Sequence, residues 1–427
     1  AVVRASIVTD ELARLLAGVP GKRYLDGVSS LWVNVHGHRN PEIDRAITKQ
    51  LSNISHSTFL GLSSVPAIEL ARRLVELAPH NLARVFYSDN GSTAVEVALK
   101  MAFQYWQQRS GSSRCRAGFI SFSHSYHGDT VGAVSLGGID LFHEIYKPLL
   151  FKTIRAPSAY CYRCYLSKEY PSCGMACLAD VEEAMEKNKG KVAAIVMEPL
   201  VQGAAGIIVF PPGYTRRVWE LAKKYGLLFI ADEVATGFGR TGTLFACEGW
   251  GVQPDIITLA KGLTSGYLPL GACVTSGEVF ETFLGEPGEN REFAQVCTYG
   301  GHPVACAAGL ANLKILTGER LWENAERVGS YLLEKLGTLR DLPIVGDVRG
   351  KGLMIAIELI RGGKSHLDTV TTNKIVAAMK SKGILVGKIG YAVDEPENLI
   401  FLAPPLILTV AEAERIFETL RDVLASF

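Results

Sequence analysis

Between residues 84 and 275, short runs of branched apolar residues alternate with stretches in which apolar positions recur every three or four residues. That alternation builds a mostly parallel sheet covered by helices on both faces. Strands are predicted at 84–88, 117–122, 193–198, 227–231, 256–259 and 271–275. A helix over 91–107 places Ala94, Ala98, Met101, Ala102 and Tyr105 on one face, and a second over 212–225 ends at Gly226. Beyond residue 317 the texture changes to an α+β mixture. It has helices near 321–337 and 371–382, and strands near 344–348, 352–358, 384–388 and 399–402. A final helix opens with Thr409 and Glu412 in capping-box spacing and turns Ala413, Ile416, Phe417, Leu420 and Val423 inward.

The expected organisation is an N-terminal part, residues 1–60, packing with a small C-terminal domain, residues 318–427, and a large domain over 61–317. At 48% hydrophobic residues the chain has ample core material, so disordered and fibrous classes are excluded. Lys+Arg 44 against Asp+Glu 43 leaves a net charge of +1, which argues against nucleic acid or an anionic membrane as partner. A small molecule is expected instead. No apolar run approaches the roughly 20 residues that span a bilayer. The N-terminal residues lack the layout of a signal peptide, and nine cysteines are an odd number for a disulfide framework, so a cytoplasmic location is expected.

Three stretches carry candidate chemistry. In SDNGSTAVEVALKM (88–101) a strand gives way to a helix at Gly91 and Ser92, whose free N–H groups can seat an anion or simply form a capped junction. In LFIADEVATGFGRTG (228–242) a buried strand delivers Asp232 and Glu233 at its carboxyl end, with Val234 on the same side as Asp232. This reads either as a partner for a cationic nitrogen or as a solvated acidic loop. In IITLAKGLTSGYLPLGA (256–272) Lys261 follows a buried strand, where desolvation would favour a neutral, nucleophilic amine, although such lysines also reach out to solvent. An anion seat, a carboxylate and an amine together match the needs of pyridoxal phosphate. SYHGDTVGAVSLGG (125–138) adds Tyr126 and His127, a ring of which could stack on one cofactor face while Val234 covers the other.

With these motifs the chain resembles the class III aminotransferases, pyridoxal-phosphate enzymes of fold-type I. YLDGVSSLWVNVHGHRNP (24–41), GSTAVEVALKMAFQYW (91–106) and YHGDTVGAVSLGG (126–138) follow its biotin-forming branch. The resemblance implies an α/β fold with a mostly parallel seven-stranded sheet in the large domain and a smaller α+β domain. It also implies Lys261 as the Schiff-base lysine, Asp232 at the pyridine nitrogen, Tyr126 on the ring, Gly91 and Ser92 at the phosphate, and Trp32 at the substrate. TYGGHPVACAAGLANL (298–313) resembles the segment whose threonine, here Thr298, reaches the phosphate of the neighbouring subunit in a homodimer. Relatives carry about twenty residues ahead of the position of Ala1.

The implied activity is ping-pong transfer from an amino donor to an oxo acceptor, S-adenosylmethionine or lysine serving 8-amino-7-oxononanoate in the biotin-forming branch. TYGGHP and the lack of arginine in GKIGYAVDEPENLIF (387–401), where Lys388 is the only cation, are closer to ω-amino acid or amine:pyruvate enzymes. A pyridoxal-phosphate aminomutase or decarboxylase uses the same seat, and a non-enzymatic metal-binding or interaction protein is the remaining class. Transamination itself needs no metal. Cys161, Cys164, Cys173 and Cys177, in C-x2-C-x8-C-x3-C spacing, read either as free surface thiols or as a structural zinc staple.

Overall fold

The computed structural model describes residues 7–8, 23–109, 116–389 and 398–427. At its centre are strands β1 (Leu82–Ser88), β2 (Gly118–Phe122), β3 (Ile154–Ala156), β4 (Val192–Met197), β5 (Leu228–Asp232), β6 (Ile256–Leu259) and β7 (Gly271–Ser276). Their spatial order is β1-β7-β6-β5-β4-β2-β3. All neighbours pair parallel except β7, which is antiparallel to both β6 and β1. Six strands therefore end at one edge of the sheet, and the connections leaving that edge build the site described below.

Every residue of β4, β5, β6 and β7 is buried. Strands covered on both faces need apolar side chains in both directions, which is why they read as unbroken apolar runs. Successive residues go to opposite layers: Ala194 and Val196 join the cluster under helix α1 (Gly91–Gln108), Ile195 and Met197 the cluster under helix α2 (Tyr214–Lys224). Asn90 caps α1 reciprocally with Thr93. β3, three residues long, falls below the length at which a pattern can be recognised.

Beyond helix α3 (Pro303–Gly318) a four-stranded antiparallel sheet forms from β8 (Val345–Lys351), β9 (Met354–Leu359), β10 (Gly387–Ile389) and β11 (Leu399–Leu402), in the order β8-β9-β11-β10. Residues 1–60 are expected to pack with this part. Tyr24–Asp26 does pair with Ile384–Leu385, but helix Pro41–Asn53 lies against α3. The physical reason is that α3 buries residues around its circumference, among them Val304, Ala305, Cys306, Ala308, Leu313 and Leu316, and needs a cover on each side. Among the described residues no helix is long and apolar enough to cross a membrane.

The last helix, α4 (Val410–Leu424), closes the small sheet by burying Ala413, Ile416, Leu420 and Val423. Thr409 Oγ1 accepts from Glu412 N at 3.2 Å while Glu412 Oε2 accepts from Thr409 N at 2.9 Å. Thr409→Ala is expected to destabilise the chain by about 1 kcal/mol. A shift of the urea midpoint at unchanged slope is the measurement, and an unshifted midpoint contradicts the role of the cap.

Candidate functional site

Five connections at the carboxyl edge of the sheet converge on one cavity of about 1210 Å³. Most small-molecule sites hold roughly 300–1,000 Å³, so this one has room for more than one ligand. The end of β1 contributes Gly91 and Ser92, the turn after β2 Tyr126 and His127, the end of β4 Glu198, the end of β5 Asp232 and Val234, and the end of β6 Lys261. Trp32 and the β10–β11 pair, through Lys388 and Phe401, form the opposite wall.

Asp232 is the electrostatic centre. It is almost fully buried, and its Oδ2 accepts from Nδ1 of His127 at 2.7 Å. Its Oδ1 accepts from Thr258 Oγ1 at 3.0 Å and from Val234 N at 3.1 Å. The parallel register that sets Thr258 beside Asp232 makes the second of these bonds possible. A carboxylate offers about four lone-pair directions. Three are taken, and one remains for a donor in the cavity. Since the carboxylate can only accept, His127 carries its proton on Nδ1.

Lys261 sits two residues beyond the end of β6 with φ of 41°, in the left-handed region that side-chain-bearing residues seldom adopt. Its Nζ lies 5.2 Å from the centre of the Trp32 ring. Burial pulls its pKa below the ordinary lysine value, against the opposing pull of the Asp232, Glu198 and Asp129 carboxylates. Glu198 accepts from Tyr126 N at 3.1 Å and Gly203 N at 2.9 Å, and burial raises its pKa to about 7. Tyr126 donates its hydroxyl to Asp129 at 2.6 Å, whose N–H in turn donates to Ser92 Oγ at 3.2 Å. The cap on Thr93 N leaves the Gly91 and Ser92 N–H groups at the α1 terminus without an intrahelical acceptor.

The Aminotransferase class-III family profile matches residues 3–424. The chain belongs to the class III aminotransferases. It is 46% identical over 413 residues to the adenosylmethionine-8-amino-7-oxononanoate aminotransferase of Nitratidesulfovibrio vulgaris, covering 96% of this chain and 75% of that one. It is 47% identical to the enzyme of the same name from Geobacter sulfurreducens, covering 92% and 86%. The crystal structure of the Methanocaldococcus jannaschii enzyme of that name superposes with a TM-score of 0.87 at 40% identity, covering 95% and 90%. A PLP-bound amine transaminase from an uncultivated Pseudomonas species superposes at 0.91 with 38% identity, covering 100% and 94%. This class III aminotransferase is therefore a transaminase of fold-type I, from a family that depends on pyridoxal phosphate and acts on a small amino donor and an oxo acceptor.

Of the residues singled out in the sequence, Lys261, Asp232, Tyr126, Val234, Gly91, Ser92 and Trp32 line the cavity of the aminotransferase. Thr298 does not; it is exposed on the loop before α3. Glu198 and the His127–Asp232 pairing were not anticipated. The available signal for Glu198 was its place directly after a buried strand, the same signal that marked Asp232 and Lys261. The four loop cysteines carry free thiols that border a small hollow of about 20 Å³, and no group of three or more metal-ligating side chains is arranged to hold an ion among the described residues.

Gly91 marks how tightly the α1 terminus approaches β5. An alanine Cβ there would lie 2.8 Å from Val234 Cγ1 and 3.2 Å from Cγ2. Gly91→Ala is expected to destabilise the aminotransferase by about 1–3 kcal/mol through overpacking. Adding Val234→Ala should restore most of the loss in thermal unfolding, and a double variant no better than the single one would contradict this contact.

Proposed function

We propose that the enzyme aminates 8-amino-7-oxononanoate, with S-adenosylmethionine or lysine as donor, using pyridoxal phosphate held in the cavity of a homodimer. The observation that carries this reading is the 46–47% identity, across more than nine-tenths of the chain, to two relatives that bear that enzyme's name. The cavity suits the cofactor on three counts. It offers an amine at Lys261, a buried carboxylate with one open lone pair at Asp232, and unsatisfied N–H groups at the start of α1. Thiols unpaired throughout the described residues favour a reducing, cytoplasmic setting.

When bound, pyridoxal phosphate supplies a carbonyl carbon that exchanges amines and a cationic ring that takes up the electron pair left by the donor's lost proton. The chain's own residues have distinct tasks. Asp232 would hold the proton on the pyridine nitrogen, and His127, Thr258 and the Val234 N–H keep its carboxylate aimed. Lys261 would bind the aldehyde in the resting enzyme. Its Nζ would also be the group to take the proton from the donor carbon and return it on the cofactor side. Val234 and Tyr126, both lining the cavity, would cover the ring, and Glu198 fixes the backbone that carries Tyr126. Gly91 and Ser92 would hold the phosphate from one subunit and Thr298 from the other. Trp32, held edge-on against Phe401 at 5.6 Å, borders the substrate.

One observation favours a second reading, an ω-amino acid or amine:pyruvate aminotransferase. Among the described residues that line the cavity there is no arginine, and Lys261 and Lys388 are its only lysines.

Lys261→Ala is expected to lower turnover by at least about 10²–10⁴-fold. Borohydride reduction followed by mass spectrometry should place the pyridoxyl adduct of the native enzyme on Lys261, and an adduct elsewhere overturns the assignment. Asp232→Asn should retain cofactor yet lose several orders of magnitude in rate, and near-native turnover would remove Asp232 from its role. Stopped-flow spectra decide the substrate. Bleaching of the cofactor's visible band by S-adenosylmethionine or lysine, with recovery on 8-amino-7-oxononanoate, supports the first reading. Bleaching only by simple amines or β- and ω-amino acids, with recovery on pyruvate, supports the second.

A further inference from the structure

The loop that carries Thr298 is built from two successive turns, with Gly300 N donating to Cys297 O and His302 N to Tyr299 O, each at 3.0 Å. Its inner side rests on Phe59 and Tyr87, which leave no space for a side chain at Gly301. Its outer side is exposed, and so are the apolar side chains of Leu60, Val296 and Tyr299 around it. Two histidines hold this loop. His56 Nε2 donates to the Thr298 carbonyl at 3.0 Å. His302 Nδ1 accepts from Val304 N at 3.3 Å and so caps α3, a 16-residue helix with Pro303 in its first turn. The imidazoles lie 5.4 Å apart, and the Tyr299 ring is 5.6 Å from His56.

We infer that His56 and His302 are positioning residues for Thr298, and that through them retention of pyridoxal phosphate across the dimer interface weakens in acid. The inference rests on the reading that Thr298 binds the neighbouring subunit's phosphate. The two hydrogen bonds demand particular protonation states. His56 must carry a proton on Nε2, which either its neutral or its charged form can supply. His302 must keep Nδ1 unprotonated, which only the neutral form allows. Charging His302 removes the cap, sets a cation at the positive end of α3, and faces it toward His56.

Burial lowers the His302 pKa, and the neighbouring His56 lowers it further. The other titratable groups around the loop are Tyr299 beside the histidines, Tyr87 and Cys306 beneath Gly301, and Asp89 and Lys100 facing Cys297. A histidine depressed in the folded state contributes fully above its unfolded value of about 6.5. That contribution is lost as pH falls below this value.

The test uses the dimeric holoenzyme and measures the dissociation constant of pyridoxal phosphate by its absorbance between pH 5.5 and 8. The native enzyme should lose affinity below about pH 6.5. His302→Asn, whose amide caps a helix without titrating, should match the native enzyme at pH 8 and lack the acid weakening. His302→Leu and His56→Leu should weaken binding roughly fivefold at pH 8, the equivalent of one lost cap. Thr298→Ala, which removes the hydroxyl but keeps the carbonyl that His56 binds, should weaken binding at every pH. An unaltered constant for Thr298→Ala overturns the loop's role and this inference with it. If Thr298→Ala weakens binding while His302→Asn keeps the native pH profile, or both leucine variants bind normally, the loop's role survives and the inference fails.

Discussion

A carboxylate buried at the end of a sheet strand is costly unless every donor it needs is built around it, and the site depends on that condition being met at Asp232. Its three donors come from three parts of the chain: the turn after β2, the neighbouring strand β6, and the backbone just beyond Asp232 itself. Moving any of them by one position in register would break a bond. The parallel pairing of β5 with β6 therefore both assembles the core and fixes the carboxylate at the sheet edge. Because the carboxylate accepts without donating, the lone pair left open to the cavity selects a protonated partner, as a pyridinium nitrogen would be.

The opposite wall of the cavity is held by a second buried charge. Arg240, fully enclosed, donates to the carbonyls of Leu353 and Pro404, and its other nitrogen reaches Ser29 Oγ at 3.5 Å. Burial holds its pKa down to about 10. Asp26, meanwhile, accepts from the N–H groups of Val28 and Ser29 at 2.9 Å. Together these bonds over-determine a segment in which Ser29, Ser30 and Trp32 all have positive φ, at a cost of about 1–3 kcal/mol per residue. Trp32 in this segment lines the cavity near Lys261 and edge-on to Phe401, so the N-terminal segment, the large sheet and the C-terminal sheet meet at the cavity wall.

What could be read in the sequence follows from which physical signals are local. Strands β4 to β7 are continuous apolar runs between turn residues, and they were placed to within one residue at each end. The capping box of α4 is equally local. Helix α3 carries no polar stripe to mark its period because it is buried around its circumference, so only its resemblance to known relatives singled out the segment. His127 was noticed only as a ring that might stack; its partner Asp232 is 105 residues away, and no local pattern encodes that pairing. Arg240 lay in plain view in GFGRTG, but its acceptors are carbonyls 113 and 164 residues further on, and carbonyls have no sequence signature.

Lys261 shows how these constraints combine into reactivity. Three carboxylates act on its amine, and if all three were free and ionised they would hold it as an ammonium. They are not equivalent. Glu198, with its pKa raised to about 7, carries only part of a charge near neutrality. Asp129 is tied to the Tyr126 hydroxyl. Asp232 is engaged by three donors. Desolvation outweighs the attraction of the three carboxylates, so the Lys261 pKa lies below the ordinary lysine value, the direction that favours a nucleophilic amine. The burial that obliges Asp232 to keep its three donors is thus the same surrounding that lowers the Lys261 pKa.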